Sequence, residues 1–330
     1  MRNALAWGVP LGAAGVVALS WSGSVGLSSD APVFVAAGRT LLSSRWSYAY
    51  ANRIVQAGPL QLALFGSLGR SSVALAGVLA LATMLLLLGA ANAVTDLSPV
   101  LTGVVGLLGI ALGLTRVGYV WGHPADAVIP LVWILAATRA RSGHVARAGV
   151  LVGLTAGLET WGILGVAVLA LAPRRRDAAK GAVLASGVAV TLFLPFVLGG
   201  HFEMGKYQWR VTAPFLSMFA PDAPFGWHMR VVQAAFAVSA GIGAAWFLRH
   251  SQHAPWAVPL TVVAVRLVLD PSLWSYYLMA LWGPAIVGAA LLAALRLRRV
   301  HPRGPLTSGG TGSRPVAPLR LIRAALVRSG

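Results

Sequence analysis

Acids are scarce in this chain: 8 Asp plus Glu stand against 26 Lys plus Arg among 330 residues. Asp30 follows a Ser28-Ser29 pair and precedes Pro32, Asp126 closes Gly122-His123-Pro124-Ala125-Asp126, and Asp270 stands before Pro271. A carboxylate at such a position can take a proton from a hydroxyl as a general base. Cations recur near these acids: Arg39, Arg45 and Arg53 after Asp30, Arg116 before His123, Lys206 and Arg210 beside Tyr207 in one polar stretch, and Arg266 four residues before Asp270. Arg forks and Lys point charges match phosphate oxygens. The chain has no Cys, which removes disulfides, thiolate nucleophiles and Cys-ligated metals. His250 and His253 have no acidic companion nearby, so they predict no metal site.

The composition sets where these residues work. With 57% hydrophobic and 10% charged residues and a mean hydropathy of +0.76, the chain cannot be a water-soluble globular domain. The expected fold class is all-α: a polytopic membrane helix bundle of about eight full spans, with one re-entrant helical hairpin and helices in the external loops. The net charge of +18 would suggest nucleic acid in a soluble protein. Here it is assigned instead to cytoplasmic loops rich in Lys and Arg, with no nucleic-acid partner.

Spans are expected from Ala4 to about Trp21, as a retained first helix. They continue near Ser71 to Ala91, Pro99 to Gly118, Pro124 to Ala137, Val183 to Leu198, Val231 to Leu248, Val258 to Leu269 and Tyr276 to Leu295. Placing both termini in the cytoplasm puts about two thirds of the basic residues inside. That orientation predicts a multi-pass plasma-membrane protein with Asp30, Asp126, Glu203, Asp222 and Asp270 on the outer side and Asp96 and Asp177 inside. The outward cations run against the usual charge bias, and an anionic ligand would account for them.

Ala148 to Pro173 is apolar but Arg-flanked at both ends and interrupted by Gly157-Leu158-Glu159-Thr160-Trp161. It reads as two half-helices that enter from the cytoplasm and return, or as one full span with a buried Glu159. Residues 1–299 are expected to form the transmembrane domain. Residues 300–330, rich in Pro, Gly, Ser and Arg, are expected to be a flexible cytoplasmic tail ending in a short basic amphipathic stretch on the anionic leaflet.

Each candidate has a plainer reading beside the chemical one. Asp30 before Pro32 is also a helix N-cap signal. His123 before Pro124 is also a helix-entry residue, Asp126 and Asp270 are also suited to pair with Arg116 and Arg266, and Glu159 is also an acceptor for half-helix N-termini at the hairpin turn. Tyr48, Tyr50, Tyr207, Trp209, Trp274, Tyr276 and Tyr277 fit an interfacial aromatic belt, with a minority free to stack on a sugar. No phosphate-binding loop of the form G-x-x-x-x-G-K-[ST] and no H-E-x-x-H motif occurs.

A first helix, an external Asp, an aromatic residue four positions on, a Gly-x-x-Leu-Leu helix and a Tyr-rich loop resemble the opening of the GT-C integral-membrane glycosyltransferases. The nearest branch is the polyprenyl-phosphate-mannose-dependent mannosyltransferases. The residues are Ser29-Asp30-Ala31-Pro32-Val33-Phe34, Gly38-Arg39-Thr40-Leu41-Leu42 and Tyr48-Ala49-Tyr50, with Gly122-His123-Pro124, the hairpin and Asp270-Pro271 to Tyr276-Tyr277 also similar. The resemblance implies an inverting transfer of a sugar, mannose first among candidates, from a polyprenyl-phosphate donor to an envelope lipid or glycan on the outer face. It makes Asp30 the catalytic base. The donor phosphate and substrate then fall to Arg39, Arg45, Arg53, Arg116, His123, Asp126, Lys206, Tyr207, Arg210, Arg266 and Asp270. Asp30 lacks the second acid that many such enzymes carry, so no metal and no cofactor is assigned. The competing expectations are a carrier of an anionic lipid or sugar phosphate and an inactive scaffold.

Overall fold

The computed structural model describes residues 2–24, 30–219 and 224–300. Asp222 and the expected tail at 301–330 lie outside the described residues. The chain folds as helices: α1 (Arg2–Ser24), α2 (Ala31–Leu41), α3 (Pro59–Leu68), α4 (Ser72–Val94), α5 (Pro99–Ala111), α6 (Val117–Val120), α7 (Pro124–Arg141), α8 (Val145–Leu158), α9 (Arg175–Gly199), α10 (Pro214–Ser217), α11 (Trp227–Leu248), α12 (Ala254–Val268) and α13 (Met279–Val300). Short 3₁₀ turns occupy Trp46–Tyr48, Met204–Lys206 and Ser275–Leu278, and a long 3₁₀ segment runs over Thr160–Leu171. The only β pairing among the described residues is two isolated bridges, Ala57 with Glu159 and Trp209 with Phe225. One compact unit covers Met1–Ala294; a second, Leu295–Gly330, contributes the end of α13 to the described residues.

Four stretches have the length and hydropathy to cross a membrane: Ser72–Val94, Arg175–Gly199, Trp227–Leu248 and Ser275–Arg299. Their outer faces keep large apolar side chains exposed, as at Leu198 (76%) and Phe247 (89%), a surface suited to lipid. The remaining apolar helices are shorter. The stretch expected to span from Pro99 to Gly118 stops as a helix at Ala111, and the chain turns through Gly113 into α6. Thirteen residues at ~1.5 Å each reach about 20 Å, short of a ~30 Å hydrocarbon core.

Local signals explain the helix ends. Pro occupies the first turn of α2, α3, α5, α7, α10 and α12, where its missing N–H costs no hydrogen bond. Ser71 and Ser98 cap α4 and α5 with their hydroxyls. The largest core cluster joins α7, α8, the 3₁₀ segment, α11 and α12 through Ile129, Trp133, Val168, Val258 and Val262. A second cluster unites α1, α4, α7 and α13 around Met84, Leu87 and Leu131.

The Arg-flanked apolar stretch is a helical hairpin. Helix α8 ends at Leu158, Glu159 is extended, and the chain doubles back as the 3₁₀ segment. The two arms touch so closely that a Cβ on Gly162 would meet the Thr155 carbonyl, so only glycine fits there. Trp133 of α7 clamps the pair by donating to Thr155 Oγ1 at 3.2 Å and to the Gly162 carbonyl at 3.1 Å. At the open end, Gly181 lies beside both the Val145 carbonyl and Leu169, so the hairpin's two ends come together. Its tip is tied to the loop before α3: Gly58 N–H donates to the Leu158 carbonyl at 2.7 Å. Tyr50 anchors the same loop by donating to the Ala57 carbonyl at 3.1 Å, and burial pushes its phenol far above the usual range, keeping it a neutral donor.

Candidate functional site

Asp30, His123 and Glu159, from three separate parts of the chain, meet in one row. His123 Nε2 lies 3.0 Å from Asp30 Oδ2, and His123 Nδ1 lies 3.0 Å from Glu159 Oε1. The approach depends on Gly122, whose φ of +81° falls where side chains are disfavoured. A Cβ there would also lie 2.6 Å from the backbone nitrogen of Ala31, the first residue of α2. The chain before α7 can therefore press against the start of α2 and deliver His123 to Asp30. Gln61 of α3 holds the turn by donating to the Gly122 carbonyl at 3.1 Å.

Ionised carboxylates only accept hydrogen bonds, whereas a neutral imidazole has a single N–H. Two carboxylates at 3.0 Å on opposite ring nitrogens therefore call for an imidazolium that donates to both. Burial opposes that charge, but the hydrogen bonds from Asp30 and Glu159 and the negative charge of Glu159 and Asp126 outweigh it, pushing His123 up to about 10. The ring is gripped by Tyr276, stacked on it at 4.6 Å between centroids and 10° between planes, and by Phe34 edge-on at 5.6 Å.

The alternatives left open for these residues resolve from the contacts. Asp30 heads α2, but its side chain makes no capping bond; its carboxylate turns to His123. His123 makes no side-chain cap on α7. Glu159, expected to accept from half-helix N-termini, instead accepts from His123 and, through Oε2, from Trp161 Nε1 at 2.8 Å. Trp161 carries the row onward, because Arg266 lies 4.3 Å over its ring.

Arg266 opens a cationic end. Asp270, fully buried, accepts from Arg230 Nη1 at 2.9 Å and lies 3.8 Å from Arg266 Nη2. Two guanidiniums thus share one carboxylate. Arg266 Nη1 is buried with no hydrogen-bond partner, and Arg230 stacks 4.2 Å over Trp209. Gln233 completes the frame by accepting from Arg230 at 2.8 Å and donating to the Arg266 carbonyl at 2.7 Å.

Both ends open into one cavity of about 530 Å³, of the size that holds small ligands. Asp30, His123 and Glu159 line it together with Arg230, Gln233 and Arg266. Trp209, Trp227, Trp274 and Tyr207 supply aromatic walls, while Ile54, Ile163, Leu164 and Val231 supply aliphatic ones. The Asp30 side chain is 43% exposed, which leaves it accessible from the cavity.

Of the residues assigned to catalysis or substrate binding from the sequence, Asp30, His123, Tyr207 and Arg266 line this cavity. Asp270 stands behind the two arginines. Asp126 is fully buried in the first turn of α7, close enough for its charge to act on His123 and Arg266, but neither of its oxygens has a hydrogen-bond partner. The expected Arg116–Asp126 pair does not form: Arg116 is exposed and lies 4.8 Å over Trp21. Arg39 is exposed and donates to the Gly69 carbonyl at 3.3 Å, Lys206 pairs with Glu203 at 2.8 Å, and Arg45, Arg53 and Arg210 are exposed; none of these five lines the cavity. Arg45, Arg53, Lys206 and Arg210 lie between the long helices and Arg39 in the last turn of α2, where long side chains keep their charge in water.

Glu159, Trp161, Arg230 and Gln233 are among the site residues that the sequence-based assignment left out. Glu159 carried a signal, as a lone acid in an apolar hairpin; Arg230 carried none that set it apart from other basic residues near helix ends. Among the described residues no cluster of three or more His, Asp or Glu is arranged to hold a metal ion. No protein-family profile, curated protein sequence or solved structure matches the chain.

Proposed function

We propose that the chain is an integral-membrane glycosyltransferase that moves a sugar, mannose first among the candidates, from a polyprenyl-phosphate donor to a hydroxyl of an envelope lipid or glycan. The observation that carries this reading is one cavity lined both by an accessible carboxylate, Asp30, and by an arginine pair, half-buried Arg230 and buried Arg266. Group transfer from a phosphate to a hydroxyl needs a base at one end and a cationic acceptor of the leaving group at the other.

In this reading His123 holds Asp30 Oδ2, and Oδ1 takes the proton of the acceptor hydroxyl as its oxygen attacks the anomeric carbon. The bond to the phosphate oxygen breaks in the same displacement, with inversion. The departing phosphate binds the arginine pair that lines the cavity, Arg230 and Arg266. Trp209, Trp227 and Tyr207 offer ring faces for the sugar, and the aliphatic wall receives the first part of the lipid tail. The cavity then faces the outer side of the plasma membrane, the termini lie in the cytoplasm, and the hairpin enters from the cytoplasm and returns, placing Arg139, Arg141 and Arg174–Arg176 on the inner side. The shorter helices complete about eight crossings, α5 doing so together with the turn at Gly113 and α6, and membrane lipids surround the bundle.

The test is incubation of the purified protein in lipid with radiolabelled polyprenyl-phosphate-mannose and an envelope lipid extract. Sugar transfer by the wild type that is lost in Asp30→Asn supports the assignment. A folded wild type that neither transfers nor hydrolyses any of several donor sugars overturns it, and uptake of donor into vesicles unaffected by Asp30→Asn indicates a carrier instead.

A further inference from the structure

We infer that Glu159 is a positioning residue: from the tip of the hairpin it holds His123 as an imidazolium, and His123 in turn fixes the Asp30 carboxylate toward the cavity. The consequence for catalysis rests on the proposed glycosyltransferase reading; the protonation of His123 does not.

The geometry supplies the argument. Glu159 is itself the extended residue between α8 and the 3₁₀ segment, and its two oxygens are divided between His123 Nδ1 at 3.0 Å and Trp161 Nε1 at 2.8 Å. Its side chain is only 13% exposed, so water does little to screen it. The groups around His123 come from every neighbouring element: Asp30 at the start of α2, Asp126 in α7, Glu159 and Trp161 in the hairpin, and Tyr276 before α13. Tyr277 adjoins Tyr276 at 4.8 Å, and Arg266 is the nearby cation on the far side of Trp161. An imidazolium buried to this depth needs opposing charge, and Glu159 supplies the share that Asp30 and Asp126 leave unmet. Replacing Glu159 with Gln keeps the shape and an acceptor oxygen but removes the charge. The ring then sheds a proton at lower pH, and the donor that orients Asp30 is no longer assured.

Histidine ring nitrogens report protonation directly by NMR. We would label the full-length protein in lipid nanodiscs with ¹⁵N-histidine, assign His123 by its disappearance in His123→Gln, and titrate between about pH 6 and 9. The wild type is expected to keep both ring nitrogens protonated across this range, while Glu159→Gln loses one with at least about tenfold weaker proton binding. Glu159→Asp, which restores the charge, is expected to recover most of the shift. A neutral His123 at pH 7 in the wild type, or the same titration in wild type and Glu159→Gln, overturns the inference.

In the transfer assay the Gln variant is expected to lose kcat by at least about tenfold with little change in KM, and to lose more as pH rises. Unchanged kcat at every pH overturns the positioning role. The NMR outcome stands whether or not a sugar is transferred, so failure of this inference is distinct from failure of the proposed function.

Discussion

At the scale of single residues, the site is a set of charges that burial makes mutually dependent. On the proposed reading, Asp30→Asn removes the base and is expected to lower kcat by about 10²–10⁴ in the transfer assay, with KM little changed. Asp270→Asn leaves Arg230 and Arg266 without their shared counter-charge in a fully buried position. Breaking a buried pair in this way costs about 3–5 kcal/mol, so thermal unfolding in detergent should show a clear fall in Tm. His123 gives stability a pH dependence of known sign. Its folded pKa of about 10 lies above the ordinary 6.5, so its contribution is complete below about pH 6.5 and fades as pH rises through about 10. Tm of the wild type should fall across that interval, and His123→Gln should flatten that part of the profile. Asp30 and His123 were legible in the sequence because Asp30 is one of few acids and stands two residues before Pro32, and His123 directly precedes Pro124. Their contact was not, since 93 residues separate them.

At the scale of elements, two glycines decide whether the site assembles. Gly122 combines a positive φ with close contact to Ala31, so Gly122→Ala must push α2 and the start of α7 apart. Strain and overpacking together are expected to cost about 2–4 kcal/mol and to weaken the Asp30–His123 contact, visible as a changed His123 resonance in the NMR titration. Gly162→Ala forces the arms of the hairpin apart and should lower Tm while also displacing Glu159. The hairpin as a unit could be expected from its Arg flanks and the break at Glu159. Its use could not: side-chain type and periodicity say that a turn occurs, whereas the partner of Glu159 depends on which loops the tip meets. The expected span from Pro99 to Gly118 missed the turn at Gly113, because an apolar run carries no mark of where a helix yields to a turn inside it.

At the scale of the whole molecule, the charge pattern and the fold make a joint prediction about sidedness. The chain has no Cys, so a single introduced Cys can be labelled cleanly. Ser142, between α7 and α8, and Ser43, after α2, are exposed. Ser142→Cys is expected to react with a membrane-impermeant maleimide only from the cytoplasmic side and Ser43→Cys only from the outer side; the reverse pattern would invert the proposed orientation. By itself the sequence determined that this is a helical membrane protein with few acids, because hydropathy and charge add up residue by residue whatever the path of the chain. It also pointed to Asp30 and to a broken hairpin, both of which are local signals. Only the tertiary structure decided that His123 joins Asp30 to Glu159, that Arg230 joins Arg266 on Asp270, and that most of the remaining cations lie outside the cavity. Those facts depend on helices crossing at glycine contacts and on buried charges finding partners from 36 to 93 residues away, and pairing over such distances is set by packing in space.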